Sequence, residues 1–125
     1  MRRFTESWVR DDIDAILECI DPDMEFDWTE SISPFKDVYE GREGLQRFWE
    51  EMRDTFDDFT PRIDDVVDCG QGRLVTRITV FGRARASGIE LEASGAMLWA
   101  VRDGRIVQGK LFQNEQDALA AAGPA

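Results

Sequence analysis

At 125 residues the chain has the size of one ordinary domain (1–125), and its 42% apolar content, with four Trp and eight Phe, supplies a core that folds without staples. A formal net charge of −11 repels phosphate backbones and anionic headgroups, which argues against nucleic acid or a membrane surface as partner. There is no His, the cysteines Cys19 and Cys69 have neither disulfide-framework nor zinc spacing, and no apolar secretory or membrane-length run is present; we expect a cytoplasmic domain with free thiols, no metal and no cofactor.

Trp8, Val9, Ile13, Ile16, Leu17 and Ile20 recur at helical spacing and predict a first helix over 8–20, capped by Thr5 and stopped by Asp21-Pro22. The alternation of Met24, Phe26 and Trp28 with Glu25 and Asp27 then predicts a short strand with one apolar face. Residues 29–40 read as a loop lying across an opening, from which Phe35 and Tyr39 reach inward. After Gly41, the stripe Leu45, Phe48, Trp49, Met52 and Phe56 predicts a second helix, closed at Thr60-Pro61.

Four long strands follow, over 62–68, 73–86, 89–102 and 105–114. They are joined by Gly-bearing turns, of which Asp103-Gly104 is the strongest hairpin signal. Asn114 is positioned to cap a short last helix that ends at Gly123 and Pro124. Strands of this length coil, with Gly82, Gly88 and Gly95 as bend points. The expected class is α+β, a cone-shaped half-barrel: a curved, mostly antiparallel sheet wrapped around two N-terminal helices, with an apolar pocket inside.

This order, with the segments Asp21-Pro22-Asp23, Tyr39-Glu40-Gly41-Arg42-Glu43-Gly44-Leu45, Ser87-Gly88, Val101-Arg102-Asp103-Gly104-Arg105-Ile106-Val107 and Asp117-Ala118-Leu119, resembles the SnoaL-like branch of the nuclear transport factor two superfamily. The resemblance covers nearly the whole chain. It implies a conical fold with an internal pocket in a superfamily of polyketide cyclases, ketosteroid isomerases, dehydratases, epoxide hydrolases and members with no known activity, so the fold alone does not choose the chemistry. It also implies a homodimer through the outer sheet face, where Leu98 and Ala100 have the matching parity.

Carried over residue by residue, the resemblance puts Trp28 at the strand position where ketosteroid isomerases keep a general-base Asp, and Met97 at or beside their proton-donating Asp. The last strand, Val107 to Gln113, lacks the acidic residue of the cyclases, and a chain without His lacks the His-Asp pair of the dehydratases.

Acid-base chemistry needs a titratable group at the pocket. Asp27 is the nearest carboxylate, turned inward if the strand carries a one-residue bulge and otherwise solvated; Tyr39 is the second candidate. The series Asp21, Asp23, Glu25 and Asp27 is no calcium loop, because Phe26 and Ile32 stand where the loop needs Gly and Glu. Arg83 and Arg85 share parity and either grip an anion together or balance the acidic surface, and the facing of Arg77 is left open. Trp8, Trp28, Trp49, Met52, Met97 and Trp99 are each core or pocket lining, and their number suggests a lined cleft. Gln113 either orients a ligand or is satisfied by backbone groups, and Gly109 leaves room beside it.

Two readings follow. In one, the pocket binds a small apolar or polycyclic molecule and isomerises, cyclises or hydrates it by proton transfer. In the other, the same fold is a non-catalytic ligand-binding or dimeric interaction module.

Overall fold

The computed structural model describes residues 2–10, 12–31 and 37–123, and for residues 2, 5, 8 and 9 the backbone alone. The elements are α1 (Arg2–Val9), α2 (Ile13–Glu18), β1 (Ile20–Asp27), β2 (Val38–Glu40), α3 (Gly41–Thr55), β3 (Phe56–Gly70), β4 (Arg73–Ala84), β5 (Glu90–Arg102), β6 (Arg105–Phe112) and α4 (Glu115–Ala122). Six strands form one sheet in the order β2-β1-β6-β5-β4-β3. Its pairings are antiparallel except β1 with β6, so the sheet is mixed.

Two helices stand where the apolar spacing predicts one. Asp12 makes the break: its Oδ1 accepts from the Ala15 N–H at 3.2 Å and caps α2, while its own N–H donates to the Ser7 carbonyl at 2.9 Å. Thr5 consequently lies inside α1 instead of capping it, and Ile20 opens β1 instead of ending a helix.

Both prolines expected to stop helices lie within strands. Pro22 falls in the stretch of β1 between Ile20 and Glu25 where the register against β6 shifts, so no regular ladder bond is asked of its missing N–H. Pro61 lies on β3, the last strand in the sheet order, opposite Val80. An edge strand tolerates a residue that cannot donate. The second helix accordingly ends at Thr55, one residue short of Phe56.

Elsewhere the periodicities hold. Met24, Phe26 and Trp28 are all buried, as are Leu45, Phe48 and Met52 of α3, and these two faces close on each other inside the curved sheet. Each large side chain buried this way contributes about 1.5–3 kcal/mol. Asp103 and Gly104 both have positive φ, the geometry of the tight β5–β6 hairpin. Residues 29–40 are not all loop, since Val38–Glu40 forms β2 and sets Tyr39 opposite Phe26. Phe35 lies outside the described residues.

The convex face carries α4. The Asn114 side chain caps it by accepting from the Asp117 N–H at 2.8 Å, and the Arg73 guanidinium donates to the Ala122 carbonyl at its C-terminal end. Ala118 and Ala122 pack there with Val75, Ala96 and Phe112, and Leu98 lies against the same cluster. On the outer face, expected to meet a second copy, Leu98 packs against the α4 cluster and, like Ala100, stays partly exposed. No described helix is long and apolar enough to cross a membrane.

Candidate functional site

The concave face divides into a deep end and a mouth. Strand pairing sets Thr76 beside Met97, Leu74 beside Trp99, and Trp99 beside Gly109. Gly109 offers no room for a ligand, because the Trp99 ring occupies it: a Cβ built on Gly109 would come 2.6 Å from Trp99 Cζ3 and 3.1 Å from Phe26 Cδ1. The Trp99 Nε1–H donates to Thr76 Oγ1 at 2.9 Å, so this buried indole is satisfied within the protein. Phe26 lies 6.0 Å from Trp99 and 5.0 Å from Phe48, centroid to centroid. What space remains is an apolar cavity of about 60 Å³ bordered by Phe4, Trp28, Phe59, Met97 and Trp99.

Toward the far ends of β4 and β5 the inward residues become small. Val80 pairs with Ala93, Ile78 with Gly95 and Gly82 with Leu91, so the floor presents Gly82, Ala93 and Gly95 where the deep end presents Met97 and Trp99. Above that floor is a cleft of about 370 Å³, walled by Trp28, Met52, Phe56 and Phe59 and ending at Leu111 and Gln113. Leu91, 47% exposed, stands at its rim. Trp28 borders both spaces and is 8% exposed. Its Nε1–H is buried with no hydrogen-bond partner among the described residues. The only carboxylate bordering the mouth, among the described residues, is the exposed Glu92.

A third, polar cleft of about 320 Å³ lies outside the helix end. It is bordered by Trp49, Arg53, Asp57, Asp58 and Arg85 and shares Met52, Phe56 and Phe59 with the mouth or its neighbours. Trp49 thus packs against the edge of the core while bordering this polar cleft, under the Arg53 guanidinium at 4.7 Å.

Of the residues singled out from sequence, Trp28, Met52 and Gln113 border the mouth, and Trp28, Met97 and Trp99 border the inner cavity. The Trp8 side chain lies outside the described residues. The Gln113 amide donates to the Glu30 carbonyl, so its N–H is taken up by backbone. Asp27 is half-buried away from both spaces; its Oδ1 accepts from the Thr29 N–H at 2.9 Å and hydroxyl at 2.7 Å in a local turn.

Tyr39 is buried against Phe48 and borders none of the three spaces. Its hydroxyl donates to Glu51 Oε2 at 3.1 Å. Burial first, and then that hydrogen bond to a carboxylate, push it up to about 12, so it holds its proton at neutral pH. The Arg47 guanidinium stacks over its ring at 4.5 Å and pairs with Asp37 at 3.0 Å, holding the Asp37 carboxyl below the usual carboxylate range.

Arg83 and Arg85 do not act as a pair: Arg83 lies 3.5 Å from Glu90, while Arg85 lies 3.1 Å from Asp57 and donates to the Arg53 carbonyl at 2.7 Å. Arg77 is exposed and faces outward, opposite in parity to Thr76 and Ile78. Phe59 and the small floor at Ala93 are the features sequence reasoning missed. The floor was visible in principle as alternate small residues on one strand, whereas Phe59 was hidden because its facing depends on a bulge.

Residues 1–109 match the model of a family described as the SnoaL-like domain. No curated protein matches the chain in sequence. Among solved structures, an NTF2-like protein from Burkholderia thailandensis E264 has a TM-score of 0.80 at 24% identity, covering 99% of this chain and 94% of its own. A hypothetical protein with a ketosteroid isomerase-like fold from Catenulispora acidiphila DSM 44928, in complex with trimethylamine, gives 0.77 at 12% identity over 99% and 92%. TerC, co-crystallised with polyporic acid, gives 0.77 at 15% identity over 97% and 92%. These likenesses bear out the α+β fold.

Proposed function

The chain belongs to the SnoaL-like domain family, and from that premise we propose that it binds a small, compact apolar molecule in the mouth of its cone and does not transform it by acid-base chemistry. The observation that carries this reading is the 370 Å³ cleft over the Gly82, Ala93 and Gly95 floor, walled by aromatics and, among the described residues, bordered by no buried carboxylate. Burial of apolar surface supplies the affinity, at about 25 cal/mol per Å² before the costs of association.

Proton transfer needs a group that titrates near working pH and touches the reactant. The candidates in the described structure fail on position or on pKa: Asp27 is engaged in its own turn, and Tyr39 is held protonated outside the cleft. The two neighbours with trimethylamine and polyporic acid in their crystals support a small molecule as the kind of occupant this fold takes.

A titration with 1-aminoanthracene, a neutral fluorescent arene, tests the reading. Saturable binding is expected, flat between about pH 5 and about pH 9 because none of the described residues lining the mouth is a buried ionisable side chain, and it is expected to weaken at least tenfold in Ala93→Phe. Equal binding by that variant would remove the cleft as the site. A steep pH dependence, or a bound compound recovered from the protein in altered form, would overturn the chemistry-free part.

A further inference from the structure

Among the described residues, Phe59 alone borders the inner cavity, the mouth and the polar cleft alike. It reaches that place through a fault in the edge strand. On β3, Asp57 pairs with Arg83 and Thr60 with Phe81, so three steps on β3 match two on β4 and one residue is extra. Asp58 takes up the strain at φ 55, in the left-handed region a non-Gly residue seldom adopts, and the Thr60 hydroxyl donates to its carbonyl at 3.1 Å. The bulge turns Phe59 inward, where its ring stacks on Phe56 with centroids 6.0 Å apart.

The wall between the 60 Å³ cavity and the 370 Å³ cleft consists of Trp28, Ile78, Val80 and Phe59. Trp28 and Ile78 are buried, at 8% and 9% exposure, and Val80 is fixed in the middle of a paired strand. Phe59 is half-buried and comes from β3, the last strand in the sheet order.

We infer that Phe59 is the partition that ends the binding site, restricting the protein to compact ligands held in the mouth and denying a longer apolar molecule the inner cavity beside Met97 and Trp99. The inference rests on the mouth being a ligand site and adds what sets its length. Shortening Phe59 joins the two spaces along Ile78 and Val80, and an alkyl tail then passes from the cleft toward Trp99.

The test uses n-alkylbenzenes from toluene to hexylbenzene, titrated against the intact protein by calorimetry, with Phe59→Ala and the milder Phe59→Leu beside the wild type. Each methylene that enters an apolar space strengthens binding about fourfold. In the wild type that gain is expected to stop once the mouth is full. In Phe59→Leu it continues for one or two further carbons, and in Phe59→Ala for more; the readout is the gain per added carbon relative to toluene in the same protein, since Phe59 itself walls the mouth. Phe59→Leu keeps the measurement decisive should Phe59→Ala fail to fold. A wild type without a length limit, or the same limit in the variants, overturns the partition while leaving the mouth as the site. No binding of any member to any of the three proteins overturns both.

Discussion

The deep end and the mouth of the cone are built on the same strands, a few residues apart along β4 and β5, and hold opposite amounts of space. At the deep end β5 turns Met97 and Trp99 inward, and Gly109 on β6 is filled by the Trp99 ring. At the mouth the same strand turns Ala93 and Gly95 inward, against Val80 and Ile78. Aromatic content does not separate the two, since Phe26 and Phe48 stand at one, Phe56 at the other and Phe59 at both. What separates them is side-chain size at alternate positions of one strand, because a pleated sheet has no other way to make room on a face it has already curved.

The largest effect should come from emptying the deep end. Trp99→Ala removes a 5%-exposed indole and its bond to Thr76, and should cost about 3–5 kcal/mol in urea unfolding. A loss under about 1 kcal/mol would mean the deep end is loosely packed and the contrast false. Gly109→Ala makes the opposite error there, placing a Cβ 2.6 Å from Trp99 Cζ3, and should cost about 1–3 kcal/mol by overpacking.

At the mouth the same kind of enlargement should be nearly free. Ala93→Phe is expected to leave stability within about 0.5 kcal/mol of wild type while abolishing arene binding, since its ring enters existing space. A stability cost matching that of Gly109→Ala would show that the cleft closes in solution.

The smallest effect is expected away from both ends, on the convex face. There Asp64 accepts from the Thr79 hydroxyl at 2.5 Å and from Arg62 Nε at 2.6 Å; the first and then the second hold its pKa below the ordinary 3.8. A carboxyl whose pKa is depressed by folding stabilises the fold above its unfolded value and loses that contribution as pH falls through the folded one. Asp64→Asn should therefore be slightly less stable than wild type at pH 7, with the gap closing below about pH 4. A gap that persists in acid would assign the effect to packing.

Strand faces were legible in the chain because alternation survives any register, as Met24, Phe26 and Trp28 show, and so was the α3 stripe of Leu45, Phe48 and Met52. The breaks were less so. Asp12 looked like one more acidic residue on a helix face until its side chain was seen capping Ala15, and Pro22 and Pro61 looked like helix stops until an irregular stretch and a sheet edge made them harmless. Of the site, Trp28, Met97 and Trp99 were readable as inward-facing. That Trp49 faces a polar cleft under Arg53, and that Phe59 faces the interior, was not.

The sequence by itself determined the class, an amphipathic helix and long alternating strands that can only close on one another, and the absence of His together with Trp28 and Met97 where the resemblance expects carboxylates. The tertiary structure alone decided where the space lies. A glycine in a sequence marks a missing side chain, but whether the gap stays open depends on the ring across from it. Trp99 fills the gap at Gly109, and at Gly95 a Cβ would come 3.0 Å from the Phe112 carbonyl oxygen and 3.4 Å from Leu111 Cδ1, so the cleft that remains opens beside the small Ala93 and not from a glycine gap alone.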